Sequence, residues 1–143
     1  MTDKSKSIIW IIIAVLVYAL CSAFCFSEMM FSRPGAQAAV ASAEFMIFWV
    51  LFLVFNRKRK IALTFSLVCA SIILLAALFC SISAVFDHPF SIAIFTLFII
   101  TPLTCINYLV SNYTSVFVIC AVFAALWFIT SIILRIKLRK QIA

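Results

Sequence analysis

The chain contains one glycine, Gly35, one histidine, His88, and four acidic residues, Asp3, Glu28, Glu44 and Asp87, among 143 positions. Each scarcity removes a class of chemistry. One glycine cannot build a Gly-rich phosphate loop, in which several backbone amides must approach an anion closely. It also excludes Gly-xxx-Gly contacts, so close helix approach has to come from Ala and Ser. The acids and the imidazole sit in separate stretches without metal-ligand spacing. No nucleophile, base and orienting group can be assembled from them, so the protein is read as a non-enzyme without metal or cofactor. Charged residues make up only 10% of the chain. No soluble segment is left to form a basic, aromatic-interleaved face, which excludes nucleic acid as a partner.

What is abundant is hydrocarbon. Hydrophobic residues account for 68% of the sequence, and the mean hydropathy is +1.32. A soluble domain is nearer half apolar and a quarter charged. A chain of this size cannot hide so much apolar surface within itself, and the lipid bilayer is its expected solvent. Hydrophobic segments lie at about 8–27, 38–55, 61–86, 90–110 and 116–134. The predicted fold is a single membrane domain over residues 1–143. It is an all-α, multi-pass transmembrane bundle of five hydrophobic helices, with the fourth kinked or re-entrant at Thr101-Pro102.

Eleven Lys and Arg give a net charge of +7. They cluster at Arg57, Lys58, Arg59 and Lys60, and again at Arg135, Lys137, Arg139 and Lys140. Basic clusters beside membrane spans are held on the cytoplasmic side and contact anionic headgroups. Both clusters are read as topology and headgroup residues. The N-terminus is expected to be cytoplasmic, and the compact, loop-poor design points to a bacterial inner membrane. Lys4 and Lys6 precede a long apolar run that resembles the start of a secretory signal. Its length favours a retained anchor, and bulky Leu20 before Cys21 argues against a lipoprotein site.

Trp10 is placed as an interfacial anchor. Segment two is small in its outer half, with Ala39 and Ala43 four apart, and aromatic in its inner half, from Phe45 to Phe55. The small half is expected to pack and the aromatic half to face lipid. Segment three repeats small residues every four positions, at Ala62, Ser66 and Ala70 and at Ala77 and Ser81. It is predicted to be the central packing helix.

Topology leaves two arrangements. The lengths of segments four and five favour five crossings, which places the C-terminal basic cluster on the side opposite Arg57 to Lys60. A re-entrant fourth segment with Thr101-Pro102 at its tip puts both clusters on one side. That version needs protein cover for irregular backbone, and so implies an oligomer.

Glu44 is the acid placed within a span, where a carboxylate costs about 2.5–3.5 kcal/mol on insertion scales. Thr101, Pro102, Thr104 and Asn107 form a broken, polar stretch of the kind that lines transport paths. Arg33 is a possible partner for Glu44. Glu28, Glu44, Asp87 and His88 all fall toward the outer side, where ordinary interfacial polarity accounts for them.

Six cysteines lie in hydrophobic runs, so a disulfide framework is not indicated. Cys21 and Cys25 share one helix face. In this they resemble the first-helix cysteines of small mercury-transport membrane proteins, with a wider spacing than that family's. The resemblance would imply passage of a thiophilic metal; packing is the alternative. Phe55-Asn56-Arg57-Lys58-Arg59-Lys60 resembles the Asn-Arg-Arg that follows spans in GtrA-like lipid-linked sugar flippases. The rest of the chain lacks that family's glycines, and no family assignment rests on it.

The functional expectation is a non-enzymatic accessory, partner-binding or immunity-type membrane protein. Its partners are the bilayer and another membrane protein or a second copy. The alternative is a small oligomeric transporter or channel using Glu44 and the Thr101 to Asn107 stretch.

Overall fold

In a computed structural model of the chain, the described residues are 3–31, 35–85, 99–104, 110 and 113–142. They are almost entirely helical. Helix α1 spans Asp3–Phe31, α2 Ala36–Asn56 and α3 Lys60–Val85. A short helix, α4, occupies residues 99–104, and α5 spans Tyr113–Ile142. Four of the five, all but α4, are long and apolar enough to cross a membrane. Their outward faces carry large aliphatic side chains such as Leu16, Leu20, Val50, Leu75 and Leu126. Such a surface is stably solvated by hydrocarbon rather than water.

Helix α3 is the central element, as its small-residue repeat predicts. It packs against α1, α2 and, over by far the largest interface, α5. Ala62, Ser66, Ala70 and Ala77 are fully buried on its inner face. From α5, Val116, Cys120, Ala124 and Ser131 are fully buried as well. Short side chains on both helices let the backbones approach closely. One polar cluster crosses the interface. Trp127 Nε1 donates to Ser66 Oγ at 2.8 Å, Ser66 and Ser131 hydroxyls meet at 3.1 Å, and Ser131 donates to the Trp127 carbonyl at 2.9 Å.

These contacts fix direction. Ser66, near the start of α3, meets Ser131, late in α5, so the two helices run antiparallel. Trp10, near the start of α1, stacks on Phe55, near the end of α2, at 5.6 Å between centroids. Helices α1 and α2 are therefore antiparallel too. The start of α1, the turn from α2 to α3 and the end of α5 share one end of the bundle. That end gathers every Lys and Arg except Arg33, which lies outside the described residues in the connection from α1 to α2.

The end of α3 and the start of α5 lie together at the opposite end, so the chain between them makes no net crossing. Its described part, α4, sits at mid-height. Tyr18 donates its hydroxyl to the Ile99 carbonyl at 3.1 Å. Ile99 also lines a cavity of about 320 Å3 with Ala14, Trp49, Cys69 and Ile73, all from the middle of their helices. The described residues thus form four long helices and one short helix; the antiparallel α3–α5 pair does not fit five successive crossings, and Thr101-Pro102 lies within α4. Segment length misleads here because apolar length permits a crossing without requiring one. Nor is an oligomer needed as cover, since Ile100, Pro102 and Leu103 are fully buried within the single chain.

The small outer half of α2 packs as expected, with Ala38, Ala39 and Ser42 buried, but the expectation for its aromatic half is largely overturned. Most of that half is core: Phe45, Trp49 and Phe52 are buried, Phe48 is half-buried, and Phe55 is exposed as expected. Trp49 is the hub, tilted against Trp127 of α5 at 4.0 Å between centroids and stacked on Phe65 of α3 at 6.4 Å. Aromatic size brings these rings into contact across a bundle otherwise held by small side chains. Trp10 likewise belongs to this set as well as to the basic end.

Candidate functional site

The basic turn is built as well as charged. Asn56 is fully buried. Its Nδ2 donates to the Phe52 carbonyl at 2.9 Å, and its Oδ1 accepts from the Arg59 guanidinium at 2.8 Å. The Arg59 amide donates to the Asn56 carbonyl at 2.9 Å, closing the link between α2 and α3. Arg59 therefore has a structural role beyond topology. Arg57, Lys58 and Lys60 are exposed. The C-terminal basic residues continue the helix to its end, as expected. Lys137, Arg139 and Lys140 are exposed and Arg135 is half-buried.

At the other end, α1 and α2 close through small side chains, with Cys25 and Ala38 buried against each other. Below them the helices stay in contact, where Tyr18 meets Phe45 at 6.1 Å between ring centroids, and their outer faces leave a groove. Leu20, Cys21 and Phe24 of α1 and Gln37, Val40, Ala41 and Glu44 of α2 line an open groove of about 490 Å3. Glu44 is exposed on it. It lies eight residues beyond Ala36, the first residue of α2, so it sits about 12 Å along the helix from that end. No described residue forms a hydrogen bond or ion pair with Glu44. Arg33, the expected partner, lies outside the described residues.

The sequence-predicted transport residues do not come together around Glu44. Thr101, Pro102 and Thr104 are buried in α4, and none of them lines the Glu44 groove. Thr104 Oγ1 donates to the Thr101 carbonyl at 2.9 Å, a bond within α4 itself. Asn107, Asp87 and His88 lie outside the described residues, and so does the Glu28 side chain. Cys21 and Cys25 divide between two settings, Cys21 on the groove and Cys25 packed on Ala38. Among the described residues no group of three or more His, Cys, Asp and Glu side chains is placed to hold a metal ion.

Sequence reasoning missed Asn56, the Trp49–Trp127 pair and the bond from Tyr18 to α4. The repeat at Ala62, Ser66 and Ala70 indicated the α3 face, but nothing in the sequence named Trp127 and Ser131 as its partners.

Comparison with known protein families, with curated proteins and with solved structures gives no match for this chain.

Proposed function

We propose that the chain is a non-enzymatic, multi-pass membrane protein of accessory or immunity type, and that the α1–α2 groove around Glu44 is its docking face. In this reading it resides in a bacterial inner membrane. Its N-terminus, the Arg57 to Lys60 turn and its C-terminus are cytoplasmic. The single observation that carries the reading is Glu44. A carboxylate about 12 Å along a membrane helix, exposed on an apolar groove and unpaired among the described residues, is costly against lipid. A partner helix bringing a hydrogen-bond donor or a cation to the same depth removes that cost. The partner is another membrane protein or a second copy of this chain. The clustering of Lys and Arg at one end supports the orientation through the positive-inside rule.

The test has two parts. A C-terminal reporter active on one side only should read cytoplasmic at Ala143, and a periplasmic signal would overturn the orientation. A photo-crosslinker at Val40, on the groove, should give one discrete adduct in native membranes, and Glu44→Ala should abolish it. A crosslinker at Val118, on the exposed face of α5, should give none. Equal labelling at both positions, insensitive to Glu44, would overturn the docking face.

The alternative, an oligomeric transporter, draws on the short helix inserted at mid-height with its threonines and proline, the setting in which transporters place binding sites. It requires flux from the purified protein, abolished by Glu44→Gln. Wild-type flux in that variant removes Glu44 from any conduit.

A further inference from the structure

A second cleft opens on a different face, between α2 and α5, at the basic end. It encloses about 500 Å3, within the range of about 300–1,000 Å3 typical of ligand clefts. Leu53, Val54, Phe123, Leu126 and Leu134 make its walls, and Trp49 and Trp127 also line it. Apart from the two indoles, its polar side chains are two. Thr130 already donates to the Leu126 carbonyl at 2.7 Å, and Arg57 stands at the mouth. No described residue pairs with Arg57. From Phe123 to Leu134 the cleft follows eleven residue steps of α5, about 16 Å of rise. That is about half of a hydrocarbon core of about 30 Å. Cleft length, apolar lining and a cation at the mouth together match one leaflet of a phospholipid.

From this we infer that the α2–α5 cleft is a binding site for one anionic phospholipid of the leaflet at the basic end. An acyl chain lies against Trp49 and Trp127, and the headgroup phosphate lies on Arg57. The anionic preference comes from Arg57 at the mouth, in a net-positive surround. Lys58 and Lys60 flank the turn, Lys137, Arg139 and Lys140 end α5, and Asp3 is the one acid among the described residues there. Arg135, next to the lining residue Leu134, has its Nε shielded with no acceptor among the described residues. A zwitterionic headgroup would bring its own ammonium into this field, whereas a net-negative one lowers it. The inference is independent of the docking face, which lies between α1 and α2.

The experiment uses the full chain carrying Trp10→Phe, so that Trp49 and Trp127 are the remaining tryptophans. It is reconstituted in phosphatidylcholine with either brominated phosphatidylglycerol or brominated phosphatidylcholine. Bromine on an acyl chain in the cleft quenches indole fluorescence. The expected result is preferential quenching by phosphatidylglycerol, with an apparent affinity about fivefold higher, the factor one Arg contributes toward an anionic surface. Arg57→Gln should abolish the preference, while Lys58→Gln, outside the cleft, should retain most of it. Val54→Phe should fill the cleft and reduce quenching by both lipids with Arg57 still present. Equal quenching by the two lipids would overturn the inference, and so would a preference lost equally in the Arg57 and Lys58 variants. Absence of quenching by either lipid would show protein, such as a second copy, covering the cleft, and would also overturn it.

Discussion

The α3–α5 and α1–α2 interfaces use similar small side chains and treat their polar groups in opposite ways. Between α3 and α5, Ser66, Trp127 and Ser131 are buried and bonded to one another or to local backbone. Between α1 and α2, Cys25 and Ala38 seal one end, and immediately below, Glu44 stands on an open groove along the outer side of the pair. A polar group closed inside its own bundle is best explained by the architecture. One presented outward on an apolar surface asks for something beyond the chain. The difference separates the scaffold of this protein from the face on which its function is proposed.

The comparison is tested most strongly from the scaffold side. Trp127→Ala removes a ring that touches Trp49 and Phe123 and a hydrogen bond to Ser66. It is expected to destabilise the bundle by about 3–5 kcal/mol, read by reversible unfolding in bicelles. A loss below about 1 kcal/mol would mean that the α3–α5 interface is not the anchor. Ser66→Leu should come next, at about 1–3 kcal/mol, because a branched side chain overpacks a position where the backbones come close.

A smaller effect is expected for Ser66→Ala. It keeps the close approach and removes the hydroxyl that joins Trp127 and Ser131. Interhelical hydrogen bonds in membranes average about 0.6 kcal/mol, so the loss should be near 1 kcal/mol at most. A double-mutant cycle with Ser131→Ala should show non-additivity, and strict additivity would mean that the two hydroxyls act separately.

The smallest effect on stability is expected on the other interface. Glu44→Gln should change unfolding by less than about 0.5 kcal/mol, as for other exposed positions outside structural networks. The same variant should weaken the groove adduct formed from Val40. If Glu44→Gln instead destabilised the isolated bundle as much as Trp127→Ala, the carboxylate would be part of the scaffold and the contrast would collapse.

Much of the fold is legible from local chemistry. The long apolar runs specify helices because every backbone polar group in a membrane must bond within its own segment. The Ala62, Ser66 and Ala70 repeat marks the packed face of α3 because Ala and Ser are the residues here that permit close approach. The candidate site is legible only in part. Glu44 stands out by being an acid inside a span, but its exposure depends on which face of α2 turns toward α1. The surroundings of the aromatic half of α2 are not legible, because hydrophobicity does not distinguish lipid from protein. Phe45, Trp49 and Phe52 are as content with one as with the other, and only the position of Trp127 and Phe65 decides.

The sequence by itself determined the helical class, the central role of α3 and the basic residues that mark the ends of the helices. These follow from hydropathy, side-chain size and charge, which act locally. Only the tertiary structure decided that those basic residues share one end and that the Thr101-Pro102 stretch enters the bundle without crossing it. It also decided that Glu44 faces outward, away from Thr101 and Thr104. Each of these depends on which helix faces which, and that choice is made by complementary surfaces far apart along the chain.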